Sequence, residues 1–94
     1  MRVISNKTLL AFSIAHPEAA SPLQLWRKAM ESKDYPTFAS LKAVFGSVDK
    51  VSTFHILNLG GNKYRLIAAI HYNRQMAFVR HVLTHRQYDQ WSAR

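Results

Sequence analysis

From Thr53 onward the chain switches to a strict strand grammar, and that switch limits its folds more than any other feature. Thr53-Phe54-His55-Ile56-Leu57-Asn58-Leu59 reads as a first strand, Tyr64 to Tyr72 as a second, and Met76 to Thr84 as a third. Between them lie Gly60-Gly61-Asn62, rich in residues that tolerate positive φ, and Asn73-Arg74-Gln75. Turns this short lay consecutive strands side by side and antiparallel. A meander of this kind needs something to cover its apolar face, and helices are the available cover.

The first half supplies them. Arg2-Val3-Ile4 reads as a short strand. Asn6 is placed to cap a helix from about Lys7 to Ala15, which His16-Pro17 ends, because a residue before proline is pushed out of the helical region. Ser21, Pro22 and Gln24 have the spacing of a capped helix start, an S-x-x-Q box with proline at the first helical position. Leu23, Trp26, Ala29 and Met30 then share one face, and the helix is expected to fade near Lys33-Asp34. Phe38, Leu41, Val44 and Phe45 fit a third helical turn stopped by Gly46, and His85 to Trp91 a short terminal helix or turn. The expected architecture is a single α+β domain over residues 1–94. Its N-terminal helices pack on one face of a small antiparallel sheet, in the order β-α-α-(α)-β-β-β-α.

Composition excludes several classes. An apolar share of 48% in 94 residues is enough for a self-sufficient core and too high for a disordered chain. With no cysteine there is no disulfide framework and no thiolate metal site. No stretch approaches the ~20 apolar residues of a membrane span. Met1 to Lys7 lacks a secretory apolar core, so a cytoplasmic protein with no membrane association is expected. The net charge of +8 suggests a polyanionic partner. Residues 1–50 hold seven basic and four acidic residues, whereas residues 51–94 hold six basic residues and a single carboxylate, Asp89. The second half is therefore the expected anion-facing half.

Topology then gathers chemistry at one corner. Lys63 and Arg65 lie at the turn end of the second strand, and His85 and Tyr88 follow the third. In an antiparallel pair the end of the third strand returns to the start of the second, so Arg65 and His85 are expected to be neighbours. Asn58, near the end of the first strand, closes the same corner. Arginine offers a planar bidentate fork to phosphate and lysine a point charge. Histidine titrates near neutral pH, and tyrosine can donate a proton or stack on a base. That set is sufficient for attack of a ribose 2′-hydroxyl on the adjacent phosphodiester, with no metal ion and no cofactor. Acidic residues are too scarce for two-metal nuclease chemistry.

Each residue also has a plainer reading. A lone arginine on a strand is ordinarily a solvated charge. His85 could simply open a helix, and Tyr88 and Trp91 could form a packing face. Gly60-Gly61-Asn62 is first a hairpin turn and matches a phosphate-cradling P-loop poorly. Strict alternation puts Arg65, Ile67, Ala69 and His71 on one face of the second strand, opposite Tyr64, Leu66, Ala68, Ile70 and Tyr72. In the third it puts Phe78, Arg80, Val82 and Thr84 opposite Val79, His81, Leu83 and His85. His71 and His81 are expected to be half-buried on sheet faces and His16 to be structural.

Two motifs carry a family resemblance. Leu59-Gly60-Gly61-Asn62-Lys63-Tyr64-Arg65-Leu66-Ile67 and Val79-Arg80-His81-Val82-Leu83-Thr84-His85-Arg86-Gln87-Tyr88-Asp89, with Leu41-Lys42-Ala43-Val44-Phe45 before them, resemble the HigB family of bacterial toxins. These are RelE-like mRNA interferases of type II toxin–antitoxin systems, with a RelE/ParE-like fold. The resemblance covers nearly the whole chain and implies a ribosome-dependent endoribonuclease that cuts translated mRNA at the 30S decoding site. It implies a HigA-like helix-turn-helix antitoxin, and contact with operator DNA only through the toxin–antitoxin complex. Carried over by motif, Lys63 and Arg65 bind phosphate and stabilise charge, His85 acts as acid or base, and Tyr88 stacks or transfers a proton. Asn58, Asn62, Arg80 and Arg86 are the expected RNA-binding residues. Two other readings remain: a basic RNA- or ribosome-binding regulator without catalysis, and a domain that binds an acidic protein.

Overall fold

The computed structural model describes residues 1–91. Its elements are β1 (Arg2–Ile4), α1 (Asn6–Ala15), a 3-10 turn (Pro17–Ala19), α2 (Ala20–Glu31), α3 (Phe38–Val44), β2 (Asp49–Val51), β3 (Phe54–Leu59), β4 (Tyr64–His71), β5 (Met76–Thr84) and α4 (His85–Gln90). The α+β reading and the antiparallel meander β3-β4-β5 hold. Two features enlarge the sheet to five strands in the order β1-β5-β4-β3-β2. Asp49–Val51 pairs with β3 as a short edge strand that periodicity is too brief to reveal, and β1 joins β5 in parallel, so the sheet is mixed.

The helices cover one face. Leu23, Trp26 and Met30 of α2, Leu9 of α1 and Leu41 of α3 are buried with Leu57, Leu66, Ala68, Ala77, Val79 and Val82 from the sheet. Fully burying one such leucine contributes roughly 1.5–3 kcal/mol.

Both expected helix starts are corrected. The residue with extended backbone before α1 is Ser5, so Asn6 is the first helical residue and makes no cap bond. The Ser21–Gln24 capping box does not form. The 3-10 turn runs directly into α2, and Ala19 is already helical (φ −81°, ψ −17°), so Ser21 lies inside the first turn. Gln24 Nε2 instead donates to Asn6 Oδ1 at 2.7 Å and ties α2 to α1.

The strict alternation expected for the third strand is also corrected. Ile67 pairs with His81 but Ala68 with Val79, leaving Arg80 as the extra residue of a β-bulge. Facing residues of paired strands share a side, so Val82 joins Val79 and Ala77 against the helices rather than Phe78 and Arg80 on the open face. His71 and His81 are exposed rather than half-buried, and His16 stacks on Phe12 at 4.3 Å between ring centroids.

Candidate active site

The corner begins with the β3–β4 turn. Gly60, Gly61 and Asn62 all have positive φ (62°, 63° and 71°), three successive left-handed residues. Such backbone favours glycine and tolerates asparagine. At Gly60 a Cβ would also stand 2.9 Å from the Tyr64 ring, so conformation and space both require glycine there.

This turn aims carbonyls back at Arg65. The Arg65 Nη1 group donates to the Asn62 carbonyl at 2.8 Å and to the Tyr64 carbonyl at 3.3 Å. Nη2 donates to His85 Nδ1 at 2.9 Å. Arg65 is only 8% exposed. Among the described residues no carboxylate lies within ion-pairing distance of it. A guanidinium stays protonated under all ordinary conditions, so this is a fixed positive charge held by neutral acceptors. Burying an unpaired charge opposes stability, so its retention points to use.

His85 reaches the guanidinium because the chain turns into α4 at that point. The Thr84 hydroxyl accepts from the Gln87 amide (3.1 Å) while the Gln87 side chain accepts from the Thr84 amide (2.9 Å), a reciprocal cap. The His85 amide also donates to the Lys63 carbonyl at 3.0 Å, which stitches the start of α4 to the turn. Because the guanidinium only donates, His85 Nδ1 accepts, and the ring proton sits on Nε2. Nε2 faces Asp89 Oδ2 at 3.6 Å, one helical turn on. Arg65, His85 and Asp89 form a line from a buried charge to an exposed carboxylate. The T-x-x-Q spacing and the i, i+4 pair His85/Asp89 were the available sequence signals for this arrangement.

Tyr88 sits over the same guanidinium, with the Arg65 carbon 5.6 Å from its ring centroid, within cation–π range. Tyr88 stacks on Trp91 at 6.0 Å, and Trp91 contacts Phe54 and His81 across the open face. Trp91 therefore pins α4 to the sheet and holds Tyr88 over Arg65.

The expected residues separate into three groups. Arg65, His85 and Tyr88 meet side chain to side chain, and Asn58 lies directly opposite Arg65 in the β3–β4 ladder. Asn62 and Lys63 join through their carbonyls, while their side chains are exposed. Arg86 is exposed on α4, and Arg80 lies at the bulge with its guanidinium 5.3 Å from the Phe78 ring. The structure shows neither of these two in contact with the corner.

A small α+β domain with helices on one sheet face and a fixed cationic corner on the other has the layout of a RelE-like toxin. The sequence profile of the HigB toxin family, described as the RelE-like toxic component of a toxin–antitoxin system, matches residues 19–91, and the chain belongs to that family. It is 29% identical over 96 residues to the mRNA interferase toxin HigB of Escherichia coli K12, covering 99% of this chain and 92% of the relative. The same figures hold for the mRNA interferase HigB of Shigella flexneri. The mRNA interferase HigB of Escherichia coli O6:H1 (strain CFT073) is 26% identical over 92 residues, covering 95% of this chain and 89% of the relative. As a toxin-component family member, the chain has an antitoxin as its partner. No helix among the described residues is long and apolar enough to cross a membrane.

Proposed function

We propose that this protein is an endoribonuclease that cuts mRNA on the ribosome without a metal ion, using Arg65, His85 and Tyr88. The observation that carries the reading is the buried, carboxylate-free Arg65 guanidinium 2.9 Å from His85 Nδ1. The activity for which the relatives are named, mRNA interferase, supports it.

The chemistry follows from the hydrogen-bond directions. A phosphate entering the corner draws the Arg65 Nη2 donor away from His85, because an anion is a better acceptor than a neutral imidazole. The freed Nδ1 lone pair takes the proton of the ribose 2′-hydroxyl. The 2′-oxygen bonds to phosphorus, the bond from phosphorus to the 5′-oxygen breaks, and the Tyr88 hydroxyl gives that oxygen its proton. The products are a 2′,3′-cyclic phosphate and a 5′-hydroxyl. Asp89 faces the Nε2–H of the imidazolium formed on His85, the role a carboxylate plays behind a catalytic histidine elsewhere. Arg65, helped by Lys63, holds the charge that grows on the phosphorane oxygens. General acid–base help is worth roughly 10²–10⁴-fold. Asn58, Asn62, Arg80 and Arg86 bind the RNA chain around the cut.

Such a protein works in the cytoplasm. It is held in check by a HigA-like helix-turn-helix antitoxin and reaches operator DNA only within that complex. The test is to induce the chain in cells and map mRNA 5′ ends. Cleavage inside translated codons is expected, and cleavage that persists when translation is blocked would remove the ribosome from the mechanism. Growth arrest with intact messages would instead favour a basic ribosome-binding regulator without catalysis.

A further inference from the structure

On the far side of β5 from the β4 ladder, β1 pairs with Met76, Ala77 and Phe78 and then ends. Beyond Phe78, no strand among the described residues pairs with that edge of β5. What lies beside it is α1, across a cleft of about 490 Å³. The α1 wall is Thr8, Ala11, Phe12 and Ala15, and the opposite wall is Arg80 to Leu83. Ala11 and Ala15 are one turn apart and both exposed, so the wall is smooth and leaves room at the strand edge. At 100° per residue, Ile14 (84% exposed) and Leu10 (51% exposed) extend the apolar surface around α1 from Ala11.

We propose that this cleft receives an extended segment of the antitoxin, which adds a strand to the open edge of β5; the proposal rests on the toxin–antitoxin reading. The occupant alternates apolar side chains, seated on Phe12 and Val82 at the helix-covered face, with carboxylates on the opposite face of the added strand, toward Arg80 and His81. Strand addition supplies main-chain hydrogen bonds, and alternate side-chain pockets supply selectivity. The carboxylates follow from the lining: Arg80, His81 and His16 stand at the cleft, and no acidic residue lines it. A second copy of the chain is disfavoured as occupant, because two molecules of net charge +8 would meet at a basic, bulged edge. Gln87, which completes the α4 cap, also lines the cleft, so the occupant abuts the helix that carries His85 and Tyr88 without entering the corner itself.

The experiment compares the unaltered chain with the double variant Ala11→Glu/Ala15→Glu. Both positions are exposed and glutamate is a good helix former, so the fold is expected to survive. The antitoxin used is the protein that restores growth to cells expressing the unaltered chain. The variant should remain toxic alone, bind purified antitoxin at least 100-fold more weakly, and no longer be neutralised by it. In the unaltered chain, amide hydrogens within residues 79–84 should gain exchange protection when antitoxin is added. Full neutralisation of the variant would overturn the proposal, as would protection confined to Arg65 and His85. Protection of residues 79–84 that instead follows rising toxin concentration, or an added RNA oligonucleotide, would assign the edge to a second copy or to RNA. If the variant loses toxicity by itself, the exchange measurement decides. Failure of the unaltered chain to arrest growth would sink the toxin reading itself and is scored separately.

Discussion

The sheet buries two basic side chains, one on each face, and they meet opposite fates. His55 lies on the helix-covered face, 3% exposed, with Nε2 hydrogen-bonded to the Tyr72 hydroxyl at 2.8 Å and Nδ1 buried without a partner. Burial, and secondarily the positive charge of Lys50, lowers its pKa below the ordinary histidine value. His55 therefore escapes the penalty by staying neutral. Arg65 lies on the open face and has no such escape, because its charge cannot be shed. A buried base that can neutralise is compatible with a purely structural role. One that cannot needs either a built-in carboxylate or an anionic ligand, and among the described residues the carboxylate is not there.

The sharpest way to break this comparison is at the corner. His85→Ala should lower mRNA cleavage by about 10²–10⁴-fold with the fold intact, measured as single-turnover cleavage on programmed ribosomes alongside circular dichroism. Unchanged cleavage would remove His85 from the chemistry.

Arg65→Met should follow with a loss of about 10²–10³-fold. Thermal stability should stay level or rise, since an unpaired charge leaves the sheet. By contrast Leu66→Ala, one residue on and facing the helices, should cost about 2–5 kcal/mol of stability in urea denaturation. If Arg65→Met proved as destabilising as Leu66→Ala, Arg65 would be a structural residue and the contrast with His55 would fail.

On the helix side the expected effect is smaller and depends on pH. The folded pKa of His55 is depressed, so below the unfolded value of about 6.5 the unfolded chain binds a proton that the folded chain refuses. The stability contribution is present above that pH and is lost as pH falls toward the folded pKa. The slope from this group is at most about 1.4 kcal/mol per pH unit. Comparing pH–stability curves of the unaltered chain and His55→Gln should show this component vanish; parallel curves would mean His55 titrates freely in the fold.

Asp89→Asn should have the smallest effect on stability, within about 1 kcal/mol, because the His85–Asp89 pair is solvent-exposed. Its effect should appear in the pH profile of cleavage instead. An unmoved profile would exclude Asp89 from supporting His85.

Much of this layout is legible in the residues themselves. The two tight turns set the meander. The meander in turn brings Arg65 to His85, because two-residue periodicity and hairpin closure are local rules. Leu23, Trp26 and Met30 declared the buried face of α2 for the same reason. The misreadings have two causes: an element that runs straight into its neighbour, as the 3-10 turn does ahead of Ser21, and pairing with a partner beyond the segment being read. Gln24 has the right spacing for a cap but bonds to Asn6, eighteen residues away. Asp49–Val51 is too short to signal a strand and is one only because β3 offers an edge.

The sequence alone determined the charge asymmetry, the order of the helices and the three long strands, the left-handed turn that needs Gly60, and the meeting of the two motifs at one corner. These follow from composition, spacing and backbone sterics, which act over a few residues. Only the tertiary structure decided that Arg65 is buried without a carboxylate and that His85 accepts from it and so carries its proton toward Asp89. It also set the bulge at Arg80, which turns Val82 inward, and left the edge of β5 open beside α1. Each depends on which atoms from distant segments become neighbours, and burial, hydrogen-bond direction and strand pairing are properties of those neighbours rather than of any one residue.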